Sequence, residues 1–219
     1  TVNVERDIQG TGLNPAVLAI SETNPYDFTT RPTSSVTPHT FVVTNTGGAP
    51  ATGVAGSGLA SPYRFEGGSF PGTTGDCVGT LAAGASCNMV IEYAPVAALG
   101  VDPDTIVIDY NDGAAAQQSL RDVTGTSVTP ANLTLSEVDP SSFGNLATGS
   151  PQNHIFVVTN AGGFQASAMA EVGLDRPYAF TGGVYPGTGG DCAGTLNAAA
   201  TCNIDIEYSP GIVSAADNE

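Results

Sequence analysis

Residues 41–48 of the chain read Phe-Val-Val-Thr-Asn-Thr-Gly-Gly, and residues 156–163 read Phe-Val-Val-Thr-Asn-Ala-Gly-Gly. A run of aromatic and β-branched residues predicts a strand, and the Gly-Gly step predicts its end. The same offset of 115 residues pairs 6–104 with 121–219 without an insertion, and most positions from 41 to 95 are identical to their counterparts. A fixed period of this length indicates tandem copies of one small domain.

The rest of each copy also favours short strands. The chain has 28 Gly, 15 Pro and 7% aromatic residues, a composition typical of strands joined by tight turns. Alternating side chains predict strands in the first copy at 16–20, 40–45, 51–59, 62–65, 87–93, 105–110 and 118–123. Asn111-Asp112-Gly113 is a hairpin signal between the last two. We therefore expect an all-β chain of two tandem immunoglobulin-like β-sandwich modules.

The repeat also sets the domain boundaries. Residues 13–127 form the first repeat and residues 128–219 the second. Residues 1–12 correspond to 116–127, so they are interpreted as the final strand of a preceding or neighbouring module. The second repeat stops at the equivalent of Asp104, and we expect it to lack the closing strands that correspond to 105–127.

Four cysteines form two pairs with the same spacing, Cys77 with Cys87 and Cys192 with Cys202. Each pair brackets a turn rich in Gly and Ala, which would bring its ends together. A disulfide within each repeat is the favoured interpretation, and each would contribute about 3 kcal/mol. Free thiols or a metal site are the alternatives, although a zinc site would want four ligands at shorter spacing. Disulfides imply an oxidising compartment, hence a secreted or cell-surface protein.

Charge excludes several classes of function. The net charge is −16, from 21 acidic residues against 5 arginines, and the chain contains no Lys. Such a surface repels phosphate backbones and anionic lipid, so neither nucleic acid nor direct membrane insertion is expected. The absence of Lys excludes Schiff-base and P-loop chemistry.

Two motifs carry a family resemblance. Residues 42–50, Val-Val-Thr-Asn-Thr-Gly-Gly-Ala-Pro, and the paired-cysteine turn 77–87 followed by Ile91-Glu92-Tyr93 resemble bacterial choice-of-anchor D repeats. These repeats are related to the Hydin-type immunoglobulin-like domains. The resemblance covers both copies and implies tandem, secreted or surface-held immunoglobulin-like modules without catalytic activity.

Few other residues are candidates for catalysis, metal binding or ligand binding. His39 and His154 precede equivalent strands and are interpreted as polar residues at the strand entry, since no nucleophile motif accompanies them. Asp102, Asp104, Asp109 and Asp112 favour a solvated acidic edge over a calcium site. Aromatic residues beside glycines are core residues or, as a weaker alternative, a ligand-binding platform: Tyr63, Phe65, Phe70, Tyr178, Phe180 and Tyr185. We expect no catalytic residue, metal or cofactor.

The ends of the chain suggest a partner. A sandwich without closing strands exposes an apolar groove, which further repeats of the same parent chain or a neighbouring copy would have to fill. Residues 1–9 alternate in polarity, with Val2, Val4 and Ile8 as strand-donor candidates for the second module of the next subunit. A head-to-tail contact of this kind can add subunit after subunit without forming a closed ring.

The predicted function is therefore a non-enzymatic, extracellular structural module of a bacterial surface stalk, filament or adhesin. The alternative, from another class, is a glycan- or protein-binding accessory domain of a secreted enzyme. Tandem repeats without insertions or deletions favour the first interpretation, because an active site is rarely present in two copies in one chain.

Overall fold

The computed structural model describes residues 3–97 and 100–211. Its residue contacts divide the chain into unit 1, Thr1–Ser127, and unit 2, Val128–Glu219. Apart from one 3₁₀ turn at Glu66–Gly68, the regular elements of the described residues are β-strands. No helix in this part of the chain has the length and apolar character needed to cross a bilayer. The predicted all-β fold class is confirmed.

Unit 1 is a sandwich of two sheets. Its strands are β1 (Leu18–Ile20), β2 (Tyr26–Pro32), β3 (Thr37–Asn45), β4 (Ala51–Ser57), β5 (Tyr63–Phe65), β6 (Thr80–Leu81), β7 (Ser86–Tyr93), β8 (Gly100–Asn111) and β9 (Ala116–Val128). One sheet has the order β1-β3-β7-β5 and the other the order β2-β9-β8-β4-β6. β1 pairs with β3, β3 with β7, β4 with β8 and β8 with β9, and all four pairings are antiparallel, as an immunoglobulin-type sandwich requires.

The two sheets of unit 1 bury one apolar core. Phe41, Met89 and Ile91 of the first sheet are fully buried, and Ile106 and Ile108 of the second sheet are fully buried as well. Successive side chains of a strand point to opposite faces, so the buried residues of β7 and β8 alternate with exposed or half-buried ones over much of each strand. We call the core-facing side of the first sheet the inner face.

Unit 2 repeats the first sheet but only a remnant of the second. Its strands are β10 (Leu133–Leu135), β11 (Gln152–Asn160), β12 (Ala166–Ser167), β13 (Tyr178–Phe180), β14 (Thr195–Leu196) and β15 (Thr201–Tyr208). The sheet β10-β11-β15-β13 matches β1-β3-β7-β5 strand for strand, and β12 pairs with β14 as β4 pairs with β6. Among the described residues, unit 2 has no strand equivalent to β8 or β9.

Two segments of unit 2 have no strand, and both lack, among the described residues, the neighbouring strand that their counterparts in unit 1 have. Residues 141–147 correspond to β2, whose neighbour in unit 1 is β9, and they carry no strand. Residues 168–172 correspond to the part of β4 that pairs with β8, and they also carry no strand. A strand exists only while its backbone groups pair with a neighbour. The two copies of the repeat therefore differ in strand content at these two segments.

The second sheet of unit 1 also departs from the sequence-based prediction. The alternating pattern predicted no strand between residues 20 and 40, but β2 lies there. This strand lies at a sheet edge and has one fully buried side chain, Phe28, so the usual alternation is weak. Strands β8 and β9 are longer than predicted, since they extend to Gly100 and Val128.

Candidate functional site

The inner face differs most between the two units. In unit 1, Ile20 is 5% exposed and Phe41, Met89 and Ile91 are fully buried. Their counterparts in unit 2 are Leu135, which is 61% exposed, and Phe156, Ile204 and Ile206, which are half-buried. Apolar side chains that the first unit removes from water are thus left partly in water in the second. We call this uncovered surface the open face.

The open face is a groove with a volume of about 380 Å³. Aromatic and aliphatic side chains form its floor, among them Phe143, Phe156, Tyr178, Phe180, Ile204 and Ile206. Leu135, Asp139, Pro140 and Ser141 also line it, and the only charge among the described lining residues is the Asp139 carboxylate. A concave apolar surface of this kind makes the groove the candidate binding site of the chain.

Unit 2 contains a cluster of three aromatic rings, and two of them, Phe143 and Tyr178, line the groove. In unit 1, the ring centroids of Tyr63 and Tyr93 are 4.9 Å apart, and Phe28 lies 5.6 and 5.8 Å from them. In unit 2, the centroids of Tyr178 and Tyr208, which we call the tyrosine pair, are 5.1 Å apart. Phe143 lies 5.8 and 5.5 Å from this pair. The geometry that packs under β8 and β9 in unit 1 is therefore preformed in unit 2.

In unit 1, β8 and β9 seal the equivalent tyrosines. Tyr63 Oη donates to the Asp102 carbonyl oxygen at 2.7 Å, and Tyr93 Oη donates to Asp102 Oδ2 at 2.5 Å. Burial raises the pKa of both phenols, so both remain neutral donors. Gly125 of β9 lies over the rings, and a Cβ there would be 2.8 Å from the Tyr93 ring and 3.1 Å from Tyr63 Oη. Only glycine fits at this point of the strand.

The strand-donor candidates lie at the opposite end of the chain. Val4 is 90% exposed and Ile8 is 92% exposed, and the described residues from 3 to 17 carry no strand. Val2 lies outside the described residues. Two large aliphatic side chains of this segment are therefore exposed to water.

The cysteines pair within each unit. Cys77 is bonded to Cys87 and Cys192 to Cys202, with Cα atoms 4.9 Å apart in both cases, and the cysteines are buried. The described residues contain no free cysteine. In unit 1 the bridge joins the loop before β6 to β7, and in unit 2 it joins the loop before β14 to β15. Each bridge therefore fixes a loop to the first sheet of its unit.

The structure separates the aromatic ligand-loop candidates into two groups. In unit 1, Tyr63 and Phe65 are buried and Phe70 packs edge-on against Phe65 at 5.5 Å. They are core residues there, and the platform interpretation is corrected for this unit. In unit 2, Tyr178 and Phe180 are half-buried in the groove, and Tyr185 packs edge-on against Phe180 at 5.4 Å.

The titratable residues have local roles. Tyr26 Oη lies 2.9 Å from His39 Nδ1. Asp104 accepts from the Ala60 N–H, and Asp109 accepts from Ser57 and Gln118 side chains. No group of three or more His, Cys, Asp or Glu side chains within residues 3–97 and 100–211 could hold a metal ion.

Sequence reasoning missed several groove residues. Phe143, Asp139 and Tyr208 were not singled out, and neither was the buried Asn45 or its twin Asn160. The offset of 115 residues was the signal that could have found them, because Phe143 and Tyr208 are the counterparts of the core residues Phe28 and Tyr93.

No family model matches the chain, and no curated protein matches it. Among solved structures, it is similar to the VesB protease of Vibrio cholerae, with 13% identity over 50% of this chain and a TM-score of 0.41. The chain covers only 31% of the VesB chain. A PapD-like domain of human CEP192 matches with 14% identity, 59% of this chain, 99% of that chain and a TM-score of 0.39.

A third similar structure is the CsuC–CsuE complex of a chaperone and a tip adhesion subunit, from Csu pili of Acinetobacter baumannii. It matches with 10% identity over 92% of this chain and 90% of that chain, at a TM-score of 0.30. At these scores the likeness carries no functional argument, and the likeness to choice-of-anchor D repeats remains a resemblance in sequence motifs. The fold assignment stands on the strand pairing described above.

Proposed function

We propose that this chain is a non-enzymatic structural module of a secreted or cell-surface stalk, filament or adhesin, and that its open face accepts a β-strand from a neighbouring copy. The observation that supports the proposal most directly is the open face itself. The same apolar positions are buried in unit 1 and half-exposed in unit 2, within one chain and with the same side-chain types. Added strands in the place of β8 or β9 would give them the cover that unit 1 has.

The disulfides support the proposed location outside the cell or at its surface. Disulfides form and persist in oxidising compartments, and both units carry one. The net charge of −16 keeps isolated chains apart at low ionic strength, and salt screens this repulsion. We therefore expect assembly to strengthen as the salt concentration rises.

The expected affinity is modest. Burial of Val4 and Ile8 would contribute about 3–6 kcal/mol, together with the main-chain hydrogen bonds of an added strand. Lost translational and rotational freedom opposes this gain. We expect dissociation constants no tighter than about micromolar.

Deletion of residues 1–9 tests the proposal. The wild-type chain is expected to form oligomers that grow with concentration in sedimentation velocity, and the deleted chain is expected to stay monomeric, because the donated side chains are gone. A matched control replaces residues 1–9 by a Gly/Ser segment of equal length and should behave like the deletion. Circular dichroism should show unchanged folding, since the described residues 3–9 carry no strand. Oligomers that persist unchanged in the deleted chain would disprove strand donation.

The second candidate function is a glycan- or protein-binding accessory domain of a secreted enzyme. The half-buried rings of Tyr178 and Phe180 in the groove favour it, because exposed aromatic faces stack on sugars and on apolar side chains. Binding on a glycan array by a chain that stays monomeric would support this function over the first.

A further inference from the structure

We infer that the donated strand is residues 4–12 of a second copy, bound in the register of β9 with Gly10 over the tyrosine pair of unit 2. This inference rests on the proposed function and adds the segment, its register and the residue that determines specificity. We call residues 4–12 the donor segment.

The donor segment repeats the sequence of the strand that covers unit 1. Residues 6–11 read Arg-Asp-Ile-Gln-Gly-Thr, and residues 121–126 of β9 read Arg-Asp-Val-Thr-Gly-Thr. In unit 1 this stretch covers the inner face: Val123 is 1% exposed, and Arg121 Nη2 donates to the Ile20 carbonyl oxygen. A second copy thus carries the side chains with which unit 1 closes its own core.

The inward positions of the donor segment suit an open groove. Alternate residues of β9 from Ser119 to Ser127 point inward, and their counterparts are Val4, Arg6, Ile8, Gly10 and Gly12. Val4 replaces Ser119, and Ile8 is one methylene larger than Val123. These changes add apolar volume on the side of the donor segment that faces the groove. Among the described residues, unit 2 has no equivalent of β8 to fill this space.

The place for the strand is defined by residues 141–147. In unit 1, β9 pairs with β2, and 141–147 are the counterpart of β2 without a strand partner among the described residues. The donor segment in the β9 position would pair with their backbone and lie across Phe143 and the tyrosine pair. It would satisfy the backbone of 141–147 as β9 satisfies that of β2.

Gly10 is the selective position in this register. Its counterpart Gly125 leaves no space for a Cβ above the two tyrosines of unit 1, and unit 2 has the same ring arrangement. In the free chain, however, a Cβ at Gly10 or at Gly12 would meet no atom within 4 Å. Substitution at either position therefore leaves the donor chain itself unperturbed, and any effect arises in the complex.

The decisive experiment compares Gly10→Ala with Gly12→Ala in the full chain by sedimentation velocity. Gly10→Ala is expected to weaken assembly by at least about tenfold, because its Cβ would collide with the tyrosine pair. Gly12→Ala is expected to assemble like the wild type, because its counterpart Ser127 already carries a side chain in this strand. The two variants differ only in the position of one methyl group.

Each other outcome has a defined meaning. If deletion of residues 1–9 abolishes assembly but Gly10→Ala does not weaken it, strand donation stands and this register is wrong. If Gly12→Ala weakens assembly as much as Gly10→Ala, the register is also wrong. If the wild type is monomeric at every concentration and salt level, both the register and the proposed self-assembly are overturned.

A second feature of the site is a charge mismatch at Asp139. In unit 1, hydrogen bonds from Thr105 and Asn24 lower the pKa of Asp122, which therefore remains ionised. The counterpart of Asn24 in unit 2 is Asp139, and the counterpart of Asp122 in the donor segment is Asp7. Two carboxylates would then face each other where unit 1 has an amide and a carboxylate.

Asp139→Asn is therefore expected to tighten assembly by about tenfold, since it replaces a like-charge contact by the pair seen in unit 1. The matched control is Glu171→Gln, which removes one negative charge from an exposed position of unit 2 outside the groove lining. The control should change the dissociation constant by far less. Equal effects of both variants, or no effect of Asp139→Asn, would contradict the register.

Discussion

Replacement of Asn45 by Ala is expected to destabilise unit 1 by about 3–5 kcal/mol. Asn45 is fully buried: its Oδ1 accepts from the N–H groups of Val17 and Gly47, and its Nδ2 donates to the carbonyl oxygens of Ala49 and Leu81. Truncation leaves these four buried or part-buried backbone groups without their partner, and the loss costs about 1–3 kcal/mol for a fully buried group and less for the others. Hydrogen-exchange mass spectrometry of unit 1 peptides measures the change.

The chain offers both a twin and a control for this prediction. Asn160→Ala should destabilise unit 2 similarly, because Asn160 is also fully buried and bonds to Asn132, Gly162, Phe164 and Leu196. Thr44→Ala, next along the strand, removes only an exposed hydrogen bond to Ser86 and should change stability by about 0.5 kcal/mol or less. A loss below about 1 kcal/mol for Asn45→Ala would mean that the freed backbone groups find other partners.

The second large effect is a difference in stability loss between the same substitution at two equivalent positions, Phe41 and Phe156. Phe41→Ala is expected to destabilise unit 1 by about 3–5 kcal/mol, because it removes a fully buried ring and leaves a cavity. Phe156→Ala is expected to cost unit 2 about half as much or less, because Phe156 is half-buried on the open face. Exchange rates of peptides from the two units, measured in the non-assembling chain that lacks residues 1–9, give both values.

This comparison also reports on the proposed function. If a neighbouring copy covers the open face, the cost of Phe156→Ala should rise toward that of Phe41→Ala when the wild-type chain assembles, while the cost of Phe41→Ala should not change. Equal losses in the non-assembling chain would show that unit 2 already buries Phe156 as well as unit 1 buries Phe41. That result would contradict an open face.

The open face gives a physical basis for pairing between copies. Unit 1 shows which strands the shared sheet needs, and unit 2 presents the same sheet without them among its described residues. A head-to-tail contact of this kind does not close on itself, so it would extend into a filament. Because the predicted affinity of each contact is weak, salt and protein concentration would control the extent of assembly.

The sequence by itself determined the elements that depend on local pattern. The stretch 41–48 and its repeat predicted a strand with an abrupt end, and β3 and β11 end at Asn45 and Asn160. The Asn111-Asp112-Gly113 signal predicted the hairpin between β8 and β9, which the structure contains. These predictions succeeded because side-chain alternation and turn preferences act over a few residues.

The tertiary structure alone decided what depends on partners distant in the chain. Residues 26–32 form a strand beside β9, while their counterparts 141–147, which share one residue of seven with them, have no such neighbour among the described residues and form no strand. Tyr63 is buried while Tyr178 is half-exposed, although both follow Pro and lie in equivalent strands. A strand and a buried ring are relations between segments, so two copies of one repeat give one sealed unit and one unit with an open face.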